Sequence, residues 1–236
     1  LRRFRGLPSN AWVDEVISNL EWRFGLRGKQ ENMIGFEQNP YLRGLNLLPD
    51  IIDAATSHQA VRITYRNYKN CDEEYTVVVH PWYIKQYNNR WFLMAYDAEA
   101  DRISNYALDR IQNFNVEEDV AYIPNKEVDF EHYFVDVFGV TIPPSDVEKI
   151  RVLLQFSKKQ YPYIVSKPLH HSQEIVDAEN RILAVEVRPT YEFTQLILSF
   201  GFDVKVLGPE PFKQEILANL RRNLQNYDEM QIDCTD

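Results

Sequence analysis

Cysteine is nearly missing from this 236-residue chain: Cys71 and Cys234 are the only two, too few and too far apart for a disulfide framework or a cysteine-based metal site. They read as free thiols of a reducing compartment. Long apolar runs are missing too. No stretch approaches the roughly 20 residues that cross a bilayer, and no charged-then-apolar start resembles a signal peptide. A cytoplasmic chain without membrane contact is the expectation. Positive charge is in the minority, with 26 Lys and Arg against 35 Asp and Glu, which argues against a chain held to nucleic acid by bulk attraction alone. Catalytic signatures are absent as well: there is no Gly-x-Ser-x-Gly, no glycine-rich phosphate loop and no Cys/His pairing. His170 and His171 are adjacent and would point to opposite faces of a strand, while His58 and His132 stand alone. The acidic pairs Glu73-Glu74 and Glu117-Glu118-Asp119 lie in turn-like polar contexts. No metal, no cofactor and no enzymatic activity are expected.

What the chain does have is 44% hydrophobic and 26% charged residues, the balance of a globular protein long enough for two ordinary domains. Charge is uneven: Arg2, Arg3, Arg5, Arg23, Arg27 and Lys29 crowd the start, while acids dominate 117–136. The chain opens on Leu1 without an initiator Met, which reads as a fragment of a longer protein. Asn10 can cap a helix running to Phe24, and Pro49 to Thr56 repeats apolar residues at helical spacing. From Ala60 the period changes to two. Short strands are expected at 60–65, 75–79, 82–87, 91–97, 102–108 and 111–117, the close spacing of a small antiparallel barrel or sheet.

After Asp119 the chain turns acidic and irregular, with a short aromatic helix expected near Phe130 and a break at Pro143-Pro144. Beyond it, strand and helix signals alternate in the order βαββαβ, the split βαβ arrangement of ferredoxin-like domains, followed by a long amphipathic helix from Pro211 to Tyr227.

The stretch from His80 to Asp97 is the part most suited to meet a partner. Two apolar runs meet at Asn88-Asn89, where Asn tolerates the positive φ of a tight hairpin turn. Trp91, Leu93 and Ala95 share one face of the second run; Phe92, Met94 and Tyr96 share the other. Arg90, Arg102 and Arg110, with His80 and Lys85 on a neighbouring strand, would gather into a basic patch beside Tyr83, Tyr87, Tyr96 and Tyr106. Arginine forks hold phosphate oxygens and aromatic rings stack on bases. The alternative is structural: Arg110 pairs with Asp109 or Asp97, Arg102 is a solvated edge charge, and the tyrosines fill a core.

Pro81, Arg90-Trp91-Phe92-Leu93, Tyr96-Asp97, Arg102 and Leu108-Asp109-Arg110-Ile111 together resemble the signature of WYL-domain proteins. The Trp-Tyr-Leu that names the family stands here as Trp91-Phe92-Leu93, one hydroxyl short. The resemblance implies an Sm-like barrel, a ferredoxin-like C-terminal extension and an upstream DNA-reading domain that this chain lacks. It also implies a bacterial transcriptional regulator whose barrel senses a nucleotide or single-stranded nucleic acid. The resulting expectation is an α+β chain: a helical linker at 1–57, a WYL-type barrel at 58–120, an acidic connector at 121–147, a ferredoxin-like extension at 148–228 and a tail at 229–236. Its ligand-binding residues would be His80, Tyr83, Lys85, Arg90, Trp91, Tyr96, Arg102, Tyr106 and Arg110. Its partners would be that ligand, promoter DNA through the missing domain, and a second copy in a homodimer. A structural dimerisation module and an enzyme acting on a small phosphorylated molecule are the alternatives.

Overall fold

A computed structural model of the chain describes residues 43–68, 73–141, 143–144 and 146–229. The helix expected from Asn10 to Phe24, both cysteines and most of the expected tail lie outside them. The described residues fall into two units, divided between Glu127 and Val128.

In the first unit, helix α1 (Leu48–Thr56) starts with Pro49 in its first turn, where a missing N–H costs nothing, and buries Leu48, Ile51 and Ala54. Five strands follow: β1 (Ala60–Asn67), β2 (Glu73–Tyr87), β3 (Arg90–Asp97), β4 (Arg102–Ala107) and β5 (Ile111–Glu117). Asn88 and Asn89 both take positive φ, 46° and 59°, the conformation that joins β2 to β3 in a two-residue hairpin. All ladders are antiparallel, and the sheet order is β4-β3-β2-β1-β5.

The sheet is not the closed barrel expected of 58–120: among the described residues, no ladder joins β4 to β5. It is nevertheless rolled. Flat, it would hold its edge strands about 19 Å apart, since neighbouring strands lie about 4.8 Å apart. The chain passes from Ala107 at one edge to Ile111 at the other through a single 3-10 turn, Leu108–Arg110, a reach of at most about 14 Å. The rolled sheet and α1 enclose Val61, Ile63, Val79, Leu93, Ala95, Tyr106 and Leu108.

β2 also departs from expectation. The strands expected at 75–79 and 82–87 are one strand of 15 residues, because Pro81 falls where β2 passes from its β1 partner to its β3 partner. There its missing donor is tolerated at a bulge. The extra residue, Trp82, reverses parity: Val77 and Val79 face the core before it, and Ile84 faces the core after it.

The second unit contains α2 (Phe130–Tyr133), β6 (Ile150–Phe156), α3 (Tyr161–Ser166), β7 (Glu174–Asp177), β8 (Ile182–Val187), α4 (Tyr191–Ser199), β9 (Val204–Gly208) and α5 (Glu210–Glu229). Its sheet runs β7-β8-β6-β9, antiparallel throughout. Val152, Leu154 and Phe156 of β6 and Leu183, Val185 and Val187 of β8 alternate into a core with Phe193, Ile197, Phe212 and Ile216 from α4 and α5. The irregular stretch before β6 joins this core: Phe138 stacks on Phe193, ring centroids 4.9 Å apart. The Thr190 hydroxyl donates to the Phe138 carbonyl (3.1 Å) while accepting from the Phe193 N–H (3.2 Å), so one side chain caps α4 and anchors that stretch.

Candidate ligand-binding face

The rolled sheet has an inner face, filled by the core, and an outer face. Because of the Trp82 bulge, the outer face collects odd residues from the second half of β2 and even residues from β3. Cross-strand pairing sets Tyr83 against Met94, Lys85 against Phe92 and Tyr87 against Arg90. Trp82 lies on Tyr96. Of the nine candidate residues, Tyr83, Lys85, Arg90 and Tyr96 therefore lie on one side of the sheet, where Met94, opposite Tyr83, is only 1% exposed. The Tyr96 hydroxyl donates to Asp101 Oδ1 at 2.6 Å, and that bond raises its pKa.

His80 lies on the same side but is only 2% exposed. Residues after β5 cross over it: the Ile123 N–H donates to His80 Nδ1 at 3.1 Å, Trp82 Nε1 donates to the Ile123 carbonyl at 2.8 Å, and the Tyr122 hydroxyl donates to the Pro81 carbonyl at 2.7 Å. Burial lowers the imidazole pKa. The ring is a packing and anchoring group.

Two more candidates belong to the inner face. Trp91 packs, half-buried, against the first core. Tyr106 is 2% exposed and meets Tyr65 edge-on at 5.2 Å, with burial holding its phenol pKa high.

The three arginines do not share one concavity. Arg90 opens β3, whereas Arg102 opposes Asp97 at its far end, which places them about 23 Å apart along the strand. Asp97 does not pair with Arg102; its Oδ1 accepts the N–H groups of Glu99 and Ala100, both at 3.1 Å. Arg102 instead acts electrostatically on Tyr75 and Tyr106.

The Leu108–Arg110 turn brings Asp109 to Arg90 and Arg110 to Tyr68. Arg90 Nε is 3.3 Å from Asp109 Oδ1, with the arginine side chain 42% exposed and the aspartate 14%. That oxygen is buried and accepts no hydrogen bond from a described residue, so the contact is electrostatic and loosely oriented. Arg110 places its guanidinium over the Tyr68 ring, 4.7 Å from the centroid. Its Nε is buried without a hydrogen-bond partner among the described residues.

Sequence reasoning missed Tyr68, which follows β1 and comes to Arg110 only because β1 pairs with β5. It also missed Trp82 as part of the outer face, since simple alternation takes no account of a bulge. Pro81 inside a strand pattern was the available signal. Elsewhere, His170 Nε2 donates to the Val135 carbonyl at 2.8 Å and its Nδ1 lies 2.7 Å from Ser172 Oγ. Among the described residues no group of three His, Cys, Asp or Glu could hold a metal, and no helix is long and apolar enough to cross a membrane.

Among solved structures, the chain is similar to the proteasome accessory factor B/C (PafBC) of Arthrobacter aurescens: 18% identity, covering 82% of this chain and 28% of that one, with a TM-score of 0.34. It is also similar to a CRISPR Cas-related protein: 12% identity, covering 80% of this chain and 53% of that one, with a TM-score of 0.45. The chain thus spans between about a quarter and about half the length of these structures. No curated protein matches it. Family models match both halves: the WYL domain at residues 46–116 and the WCX domain at residues 148–224. The first takes in α1 and all five strands of the rolled sheet, the second the sheet and helices built on β6–β9, and the chain is a WYL-domain protein in which a WCX domain follows the WYL domain.

Proposed function

We propose that this chain is the ligand-sensing part of a bacterial transcriptional regulator and that the outer face of β2 and β3 takes a nucleotide or short single-stranded nucleic acid. One observation carries the reading. Arg110 stands over Tyr68 without an ion pair among the described residues, next in sequence to the Asp109 that Arg90 contacts, and Arg90 lies on the face that bears Lys85, Tyr83 and Tyr96. Guanidinium groups next to aromatic rings match a ligand that presents phosphate and base together.

Two features support the expected folds. A sheet rolled until one turn links its edges supports a partly open, Sm-like roll at 58–120, and the order β7-β8-β6-β9 supports a ferredoxin-like extension at 148–228. The nucleotide-binding residues narrow to Tyr83, Lys85, Arg90, Tyr96 and Arg110; His80, Trp91 and Tyr106 support the fold, and Arg102 forms a separate basic point. Neither a catalytic role nor a cofactor enters this reading. It includes a homodimer and an upstream domain for promoter DNA, and sedimentation of the intact chain at several concentrations checks the first.

The test is binding of the chain to a short 5′-phosphorylated oligothymidylate at two salt concentrations. Affinity that falls as salt rises, with a slope reduced in Arg110→Ala, supports phosphate recognition at this end. Equal affinity in parent and variant overturns it.

A further inference from the structure

Gly44 touches the turn that carries Asp109 and Arg110. Its φ is +82°, and a Cβ there would lie 2.3 Å from the carbonyl carbon and oxygen of Leu108 and 2.7 Å from the Asp109 nitrogen. Backbone lies on backbone, with no side chain between to absorb a shift. The Gly44 carbonyl accepts the Leu47 N–H at 3.1 Å, and Leu47 and Leu48 pack onto the first core. The chain therefore enters the rolled sheet by resting on the one turn that also links Arg90 to Arg110.

We propose that this contact, Gly44 against Leu108–Asp109, passes occupancy of the Arg90/Arg110 end to the chain upstream of α1. The inference rests on the ligand reading above and names the moving part. An anion that recruits Arg90 competes with Asp109, whose buried Oδ1 accepts no hydrogen bond from a described residue to hold it in place. Once released, Asp109 leaves the turn with less to fix it. Leu108 stays anchored, being only 1% exposed, so displacement falls on the Asp109 side, where Gly44 touches the backbone nitrogen. Coupling of this kind needs an element that both sites bias. Here that element is a single helical turn with the ligand end on its side chains and the entering chain on its backbone.

Hydrogen exchange of the full chain tests the relay, read at the amides of residues 44–48 with those of β6–β9 as the internal reference. In Asp109→Asn, without any ligand, exchange at 44–48 should rise by about fivefold, at the low end of allosteric coupling strengths. Adding the 5′-phosphorylated oligothymidylate to the parent should produce the same rise, and adding it to Asp109→Asn should produce no further change. Gly44→Ala should couple the other way and alter oligothymidylate affinity; should that variant not fold, the Asp109→Asn comparison stands alone. Oligothymidylate that binds without changing exchange at 44–48 overturns the relay and leaves the ligand reading standing. A rise in Asp109→Asn together with no binding by the parent keeps the relay and overturns the ligand class. No rise in Asp109→Asn together with no binding by the parent removes both.

Discussion

Trp82 lies flat on Tyr96, the ring centroids 4.9 Å apart and the planes 2° from parallel. The stack exists because a bulge turns Trp82 onto the side of the sheet where Tyr96 already points. Its consequence for recognition is a division of labour among the aromatics. Trp82 and Tyr96 are occupied with each other and with Ile123 and Asp101. Tyr83, 37% exposed, is the most exposed aromatic ring on that face.

Replacing Trp91 with Ala should destabilise the first unit. The side chain is in phase with buried Leu93 and Ala95 and packs on the core while remaining only partly buried. The cost should be about 3 kcal/mol, the low end for truncating a core Trp. Urea unfolding measures it. An unchanged midpoint with lost oligonucleotide binding would identify Trp91 as a stacking surface instead.

Arg110→Ala should do the opposite. It removes a charge set over Tyr68 and should weaken oligothymidylate binding by about 1.5–3 kcal/mol, the worth of a charge-assisted hydrogen bond. The melting temperature should move much less than in Trp91→Ala. Titration calorimetry and thermal melting on the same sample separate the two effects.

Acid should weaken the hold of residues 122–123 on β2. Burial lowers the His80 pKa below the ordinary 6.5, so below that value the unfolded chain binds a proton that the folded ring refuses. Stability then falls with falling pH, and above about 6.5 this group contributes no slope. Protonation at Nδ1 also abolishes the acceptor for the Ile123 N–H. Melting temperatures from about pH 7.5 to about pH 5.5 should drop less steeply in His80→Asn, whose amide has no such proton to take up. His170, lowered first by burial and then by His171, should add a slope of the same sign.

Thr190→Ala should cost the second unit about 1–2 kcal/mol. The substitution removes the N-cap acceptor of α4 and leaves the Phe138 carbonyl without its donor. Chemical denaturation followed at the β8 amides by hydrogen exchange would show it. A Ser replacement, which keeps the hydroxyl, should recover most of the loss.

Local signals announced most of the secondary structure. The Asn88-Asn89 turn, the alternation of Val61, Ile63 and Tyr65, and the helical spacing of α4 and α5 each depend on residues close in sequence. What could not be read there depends on residues distant in sequence. Pro81 suggests an interruption until its partners are known; only the exchange from β1 to β3 turns the interruption into a bulge within one strand. Arg90, Arg102 and Arg110 look like neighbours because their strands are neighbours, but pairing register puts Arg102 at the wrong end of β3. Tyr106 and His80 were legible as aromatic and polar, not as buried, because what covers them comes from Tyr65 and from residues 122–123.

The Trp82 bulge acts on β2 as a frameshift acts on a message. Remove that one residue and every side chain from Tyr83 to Tyr87 changes sides: Ile84 would leave the core for water, and Tyr83, Lys85 and Tyr87 would turn into it. Neither charge nor composition of the hairpin would change appreciably, yet its lysine would meet an apolar interior and its binding surface would lose the rings. A single-residue deletion here should therefore be far more damaging than any single substitution along the same strand. Insertion of one residue elsewhere in 83–87 would restore the phase only beyond the point of insertion.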